Sequence, residues 1–163
     1  MEKINVKKLL TSDIGAKQFF GINEEIKNLG LPEEIEGKKL VGKLNLTKLE
    51  NSILVEGEFV AGTVLICDRC LENFKTHIPF KLEREYNLNR SVDSAENLFV
   101  DKYSDIDITE PVREEVILAV PMKNICSEQC LGICLGCGAN LNKEKCKCKN
   151  KKKNPARGSE RRV

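Results

Sequence analysis

Cysteines are the residues of this chain whose type and spacing point most directly to chemistry. The 163-residue sequence has eight of them, and six fall between residues 126 and 148. The spacings are C-x2-C at Cys67 and Cys70, then C-x3-C-x3-C-x2-C-x8-C-x-C from Cys126 to Cys148. A C-x2-C turn places two thiolates near the edge length of a zinc tetrahedron, so the pattern predicts metal sites made of cysteine alone.

One zinc site is predicted from the last four cysteines. In "CLGCGANLN" a C-x2-C turn is followed by Gly138, which allows the left-handed backbone that such a turn often needs. Eight residues later, a C-x-C pair can present both thiols on one face of an extended segment. The four ligands would form a closed four-cysteine site with no open position for catalysis: Cys134, Cys137, Cys146 and Cys148.

The other four cysteines predict another site, made of Cys67, Cys70, Cys126 and Cys130. The C-x2-C pair lies between two predicted strands, and one helical turn would align the C-x3-C pair. Such a site would clamp the C-terminal module onto the strand hairpin. Two alternatives stay open at this stage: the four can be reduced thiols that pack as small apolar groups, or the grouping can differ, with Cys130 replacing Cys148.

The expected cellular compartment indicates whether these thiols form disulfides or stay reduced. The sequence has no apolar run long enough to cross a bilayer, and its start, "MEKINVKKLL", lacks the apolar stretch of a signal peptide. We therefore expect a cytoplasmic protein with no membrane partner, in which thiols stay reduced and a disulfide scaffold is disfavoured.

Motifs for catalysis are missing from the sequence. It contains no G-x-x-x-x-G-K-[ST] loop, no G-x-S-x-G and no H-E-x-x-H, and its single histidine, His77, falls on the polar face of a predicted strand. We therefore expect a protein that is not an enzyme and has no small-molecule substrate.

Three runs of alternating apolar residues predict an antiparallel meander with one buried face. Because Pro79 falls on the opposite face of the third run, that run is expected at an edge of the sheet. The buried positions would be Leu40, Leu44 and Leu46; Ile53, Val55, Phe59, Ala61 and Leu65; and Phe74, Ile78, Phe80, Leu82, Tyr86 and Leu88.

The remaining segments complete an α+β prediction with one or two helices. "INVKKLL" suits a short strand, "DIGAKQFFGINEEIKNLG" has a weakly helical pattern, and Leu98–Val100 suits a short strand. A helix is predicted from a cap at Thr109 to a stop at Pro121. The expected organisation is an α+β domain over 1–122, a cysteine-rich zinc module over 123–149, and a basic flexible tail over 150–163.

Charge is unevenly distributed along the chain. Residues 143–163 hold ten Lys/Arg and two Asp/Glu, whereas residues 83–115 hold ten Asp/Glu and four Lys/Arg. A basic end of this kind predicts an anionic partner such as RNA, contacted through its phosphates; the alternative is a solubilising tail. The candidate RNA-binding residues are Lys147, Lys149, Lys151, Lys152, Lys153, Arg157, Arg161 and Arg162.

Three strings occur in order along the chain: "VLICDRCLENFKTHI", "PVREEVILAVPMKNICSEQCLGICLGCGANLNKEKCKC" and "NPARG". In this order they resemble the bacterial YceD family, usually named the large ribosomal RNA subunit accumulation protein family. The resemblance covers most of the chain from about residue 37 and includes the C-x-R-C turn, here Cys67, Arg69 and Cys70. It implies a non-catalytic cytoplasmic factor for the synthesis, processing or stability of large-subunit ribosomal RNA.

The function expected from all of this is support of ribosome biogenesis. The partner would be large-subunit ribosomal RNA, a preribosomal particle or a ribosomal protein, and the cofactor would be Zn2+ at one or both sites. The alternative from a different class is a redox-responsive zinc protein or chaperone, because C-x2-C with C-x-C also occurs in a zinc-binding redox chaperone.

Overall fold

A computed structural model describes residues 3–26, 30–31, 36–89 and 98–148 of the chain. The elements in chain order are β1 (Ile4–Asn5), α1 (Lys7–Leu10), β2 (Lys17–Glu25), β3 (Glu36–Lys48), β4 (Ser52–Ile66), β5 (Asn73–Asn87), β6 (Asp105–Ile106) and α2 (Thr109–Ala119). Strands β2 to β5 form one four-stranded sheet in the order β2-β3-β4-β5, and β1 pairs with β6. The α+β class with an antiparallel meander and two helices is confirmed.

The meander follows from the alternation in the sequence. Leu44 of β3 lies opposite Gly57 of β4 in an antiparallel register, and the leucines that alternate along β3 are buried. The aromatic rings of Phe59 and Phe80 stack at 5.4 Å between centroids inside the same core. Strand β5 is an edge strand, as Pro79 indicated. Leu88 is an exception to the predicted buried set, because β5 ends at Asn87 and Leu88 is exposed.

Strand β2 corrects the sequence interpretation of residues 13–30, whose pattern had indicated a weak helix. It pairs with β3 over nine residues, from Lys17 opposite Thr47 to Glu25 opposite Lys39. The adjacent Phe19 and Phe20 hid the alternation, because one faces outward and is exposed while the other is half-buried. Pairing with a neighbouring strand outweighed the weak local preference.

Two short segments near β2 and β5 also differ from their predictions. The predicted strand at the start is limited to β1, and α1 follows it directly. At Leu98–Val100 the structure has an isolated bridge between Phe99 and Asn87 rather than a strand. Residues 90–97, which precede it, lie outside the described residues.

Helix α2 begins one residue earlier in its hydrogen bonding than the sequence indicated. Ile108, not Thr109, is the N-cap residue, and its side chain makes no capping hydrogen bond. The amide of Thr109 instead donates to Oδ1 of Asp107 at 2.9 Å. The helix ends at Ala119 because Val120, which precedes Pro121, has an extended conformation.

The chain divides into two compact units. The first comprises Met1–Val64 and Lys75–Pro121, and it contains the apolar core between the sheet, α2 and the β1–β6 pair. The second comprises Leu65–Phe74, which is the turn between β4 and β5, with the described part of Met122–Val163. The cysteine-rich module thus shares a unit with a hairpin turn that the sequence had placed in the first domain. Neither helix in the described residues is long and apolar enough to span a membrane.

The core predicts a contrast between the two faces of β3. Replacing Leu44, which is 1% exposed, by Ala should lower the free energy of unfolding by about 2–5 kcal/mol, because a cavity remains. Val41→Ala on the opposite, half-exposed face should cost about 1 kcal/mol or less. Urea unfolding followed by circular dichroism measures both. Equal losses at the two positions would contradict this description of the core.

Candidate metal centres

The CDRC turn, Cys67–Cys70, connects β4 to β5. The amide of Leu71 donates to the carbonyl oxygen of Cys67 at 2.8 Å, and the amide of Cys67 donates to the carbonyl oxygen of Glu72 at 2.9 Å. Leu71 closes the turn with a φ of 58°, in the left-handed region that side chains other than glycine rarely adopt. This backbone geometry sets the two thiols close together.

The CLGC turn, Cys134–Cys137, repeats this hydrogen-bond pattern. The amide of Gly138 donates to the carbonyl oxygen of Cys134 at 2.8 Å, and the amide of Cys134 donates to the carbonyl oxygen of Ala139 at 2.8 Å. Gly138 has a φ of 71°, at the position that Leu71 occupies in the other turn. The chain therefore builds the same ligand turn twice, once with a leucine and once with a glycine at the left-handed residue.

The first cysteine cluster consists of Cys67, Cys70, Cys126 and Cys130, whose sulfurs all lie within 4.8 Å of one another. The Sγ atoms of Cys67 and Cys130 are 3.9 Å apart, and those of Cys70 and Cys126 are 3.8 Å apart. Three of the four cysteines are buried, and Cys126 is exposed. The structure thus brings together ligands from two distant segments of the chain.

Arg69, inside the CDRC turn, ties those two segments together. Its Nη1 donates to the carbonyl oxygens of Glu128 and Cys130, each at 3.2 Å, and its own carbonyl oxygen accepts from the amide of Ile133 at 2.9 Å. Gly132 allows this approach, because a Cβ at its position would lie 2.9 Å from the carbonyl oxygen of Arg69. Its φ of 73° also favours glycine.

Two N–H groups also point at the sulfurs of the first cluster. The amide of Cys126 donates to Sγ of Cys67 at 3.4 Å, and Nδ2 of Asn142 donates to Sγ of Cys130 at 3.3 Å. Oδ1 of Asn142 in turn accepts from the amide of Leu131 at 2.8 Å. Such donors stabilise the thiolate form that a metal requires.

The second cysteine cluster consists of Cys134, Cys137, Cys146 and Cys148, again with all sulfurs within 4.8 Å. Sγ of Cys134 lies 3.3 Å from that of Cys146 and 3.8 Å from that of Cys148, and the sulfurs of Cys137 and Cys146 are 3.9 Å apart. Cys137 and Cys146 are exposed, and the other two are partly exposed. The C-x-C pair therefore joins the CLGC turn in one group.

Both clusters fit a tetrahedral thiophilic metal ion. A metal–sulfur bond of about 2.3 Å requires sulfur–sulfur edges of about 3.8 Å, close to most of the distances above. The donors are sulfur only, whereas Mg2+ and Ca2+ require oxygen. Within the part of the chain that the structure describes, these are the two groups of three or more Cys, His, Asp or Glu residues that could hold a metal ion.

The sequence profile of one protein family spans both clusters. The profile of the YceD family, described as the large ribosomal RNA subunit accumulation protein YceD, matches residues 55–158. This range is well over half of the chain and contains all eight cysteines. The chain belongs to the YceD family.

Individual relatives match the chain over shorter stretches. A chloroplastic protein of Arabidopsis thaliana, named as a homolog of large ribosomal RNA subunit accumulation protein YCED, is 44% identical over 45 residues, or 28% of this chain and 14% of the relative. A protein of the same name from Zea mays is 42% identical over 38 residues, or 23% and 13%. An uncharacterized protein of Mycobacterium tuberculosis is 28% identical over 110 residues, or 65% and 53%.

These matches span about half of the mycobacterial relative and about one seventh of each plant relative. No solved structure matches the chain. The YceD assignment therefore comes from the family profile, and the geometry of the clusters comes from this chain.

Backbone N–H groups lower the pKa of a thiol in each cluster. In the first, burial opposes ionisation of Cys67, but the N–H groups of Cys126, Cys70 and Arg69 outweigh it and lower the pKa of the thiol to about 6. In the second, the N–H groups of Cys137 and Gly136 lower the pKa of the Cys134 thiol to about 6.

The neighbouring thiols shift in the opposite direction. The side chain of Cys130 raises the pKa of Cys126 to about 12, and the side chain of Cys146 raises the pKa of Cys148 to about 12. In each cluster the pKa is therefore lowered at two of the four thiols, and the other two resist ionisation beside them. A divalent cation at the centre would remove that resistance.

Sequence reasoning missed the residues that support the ligands. Leu71 and Gly138 each follow a C-x2-C pair directly, so the spacing relates the two positions. A leucine does not predict a left-handed backbone, so the conformation of Leu71 was not expected. Arg69 entered only through a family motif, and its two carbonyl partners are far from it in sequence. Asn142 was assigned to a turn, and its contact with Cys130 depends on the folded module.

Of the residues proposed for RNA contact, the structure describes Lys147 alone. It is exposed, and its Nζ lies 3.4 Å from a carboxylate oxygen of Glu144. The rest lie outside the described residues: Lys149, Lys151, Lys152, Lys153, Arg157, Arg161 and Arg162.

Leu71 provides a direct test of the turn geometry. Leu71→Gly should leave stability unchanged or slightly higher, because glycine adopts the left-handed conformation without strain. Leu71→Val should destabilise by about 1–2 kcal/mol, because a β-branched side chain tolerates that backbone poorly. Thermal unfolding of the purified variants provides the comparison.

The matched control is Leu131→Val, because Leu71 and Leu131 are each 63% exposed and only Leu71 has positive φ among these two. This control should change stability by about 0.5 kcal/mol or less. Similar effects of Leu71→Val and Leu131→Val would mean that the CDRC turn does not have the geometry described above.

Proposed function

We propose that the protein is a non-catalytic factor that supports the accumulation of large-subunit ribosomal RNA by binding a component of the maturing particle. The observation that carries this proposal is membership of the YceD family, whose name states that role, over a range that includes both cysteine clusters. The names of the two plant relatives refer to the same role and describe the proteins as chloroplastic. A cytoplasmic location is part of the proposal.

The metal at both clusters is proposed to be Zn2+. Four cysteine ligands at the observed spacing suit Zn2+, which has no redox chemistry and accepts tetrahedral thiolate coordination. A closed site of four cysteines leaves no position for water or substrate, so it stabilises the fold instead of catalysing a reaction. This supports a binding role over an enzymatic one.

The partner is proposed to be RNA, a ribosomal protein or a preribosomal particle. The supporting feature is charge, because residues 143–163 hold ten Lys/Arg against two Asp/Glu. Clustered basic side chains bind nucleic acid through its phosphates, and this contact does not depend on the nucleotide sequence. A basic ribosomal protein would instead meet the acidic residues within 83–115.

Metal analysis tests the zinc assignment. Native mass spectrometry of the full chain should detect two Zn2+ per protein, because each cluster supplies four thiolates. Cys130→Ser and Cys146→Ser should each lose one ion, from the first and the second cluster respectively. Elemental analysis of the same samples identifies the metal.

The corresponding control is Ser127→Ala, which leaves all eight thiols in place and should retain both ions. Iron instead of zinc would overturn the choice of metal. Two retained ions in either cysteine variant, or loss of both ions from one of them, would overturn the grouping of the ligands.

Deletion of the gene in its own organism tests the cellular function. Large-subunit ribosomal RNA should fall relative to small-subunit ribosomal RNA, and the intact gene should restore it. Gradient sedimentation should place the protein with large-subunit precursors, and crosslinking in cells should identify the RNA or protein that it touches. Quantitative RNA electrophoresis measures the ratio.

Two outcomes would oppose the proposed function. An unchanged ratio of the two ribosomal RNAs would remove its main support. An unchanged ratio combined with sensitivity of the deletion strain to peroxide would favour the alternative, a redox-responsive zinc protein or chaperone, for which the exposed thiols of the second cluster are the supporting observation.

A further inference from the structure

The two cysteine clusters share a turn geometry but differ in access from solvent. In the first cluster Cys67, Cys70 and Cys130 are 0%, 5% and 7% exposed, and Cys126 is the one exposed ligand. In the second cluster no cysteine is buried, and Cys137 and Cys146 are exposed. A ligand that attacks a metal must reach its coordination sphere, so this difference bears directly on how fast each site exchanges its ion.

Packing and hydrogen bonding reinforce the contrast. Phe74 and Ile125 pack against the first cluster, and Arg69 joins its two chain segments by hydrogen bonds to two carbonyl oxygens. The ligands of that cluster are up to 63 residues apart in sequence, so opening the cluster completely requires two segments to separate. Except at Cys126, the first cluster is therefore shielded by its surroundings as well as by its ligands.

The second cluster is built from a short and open stretch. Its four ligands lie within 15 consecutive residues, from Cys134 to Cys148. The Cys146 and Cys148 pair has exposed lysines beside it, Lys145 and Lys147. These lysines offset part of the thiolate charge, and the exposed Cys137 and Cys146 leave the cluster open to ligands from solution.

We propose that the second cluster is an exchange site, which passes its metal ion to and from thiolate ligands in solution while the first cluster retains its ion. The ligand class is thiolates, because soft sulfur donors compete for the same thiophilic metal. This inference rests on the proposed occupation of both clusters by Zn2+. It gives the two matched turns different roles, one structural and one for metal transfer.

Pulse alkylation of the zinc-loaded wild-type protein tests the proposal without any substitution. The protein is incubated with a zinc chelator, and samples are alkylated at intervals and mapped by peptide mass spectrometry. The four thiols from Cys134 to Cys148 should become reactive at least tenfold faster than Cys67, Cys70 and Cys130. Glutathione added at millimolar concentration should accelerate the fast phase and leave the slow phase unchanged.

The outcomes separate this inference from the assignment on which it rests. Fewer than two Zn2+ at time zero would contradict the proposed metal content. Two Zn2+ released at equal rates, or earlier modification of Cys67, Cys70 and Cys130, would overturn the exchange site alone. Neither outcome depends on the accumulation of ribosomal RNA.

A variant at Gly136 tests whether local geometry controls the fast phase. A Cβ at this position would lie 2.8 Å from Sγ of Cys148, so Gly136→Ala must displace that ligand. The fast release should become at least threefold faster, with the slow release unchanged. Leu135→Ala is the control, because Leu135 is 78% exposed and is not a ligand. A separate exchange site would be contradicted if Gly136→Ala and Leu135→Ala changed the release rates by the same factor, or if each changed fast and slow release equally.

Discussion

Four sulfurs held within 4.8 Å of one another are the constraint on which the second unit depends. Each thiolate raises the cost of ionising its neighbours, and a divalent cation removes that cost. The described residues of this unit have little apolar packing, which consists mainly of one small group of buried cysteines with Phe74 and Ile125. Units this small rarely fold on apolar burial alone, and a structural metal is a common substitute.

The same constraint explains the uncommon residues around the ligands. A ligand turn must leave its amides free to face sulfur, so the residue after the second cysteine adopts left-handed backbone, at Leu71 as well as at Gly138. Arg69 and Gly132 let two distant segments approach closely enough for Cys126 and Cys130 to complete the first cluster. These residues serve the cluster without being ligands, which is the usual place of supporting contacts in a metal site.

Local patterns made part of this structure predictable. The period of two identified β3, β4 and β5 because each buries one face of a strand, and the C-x2-C spacings identified both ligand turns because that geometry is local. Strand β2 was missed because Phe19 and Phe20 interrupt the alternation and pairing with β3 decides its conformation. The contact between Asn142 and Cys130 was out of reach for the same reason, since it depends on the folded chain.

The net charge of the second unit limits how strongly its lysines can attract an anionic partner. Its described residues carry five Lys/Arg and four Asp/Glu, nearly neutral before the thiols are counted. Two Zn2+ with eight thiolates would contribute about −4, which leaves the loaded unit at about −3. Lys145 and Lys147 therefore first offset the thiolates beside them. In the proposed contact with RNA, attraction of phosphates would depend on residues 149–163, which hold seven Lys/Arg and one Glu, more than on the lysines interleaved with the last cysteines.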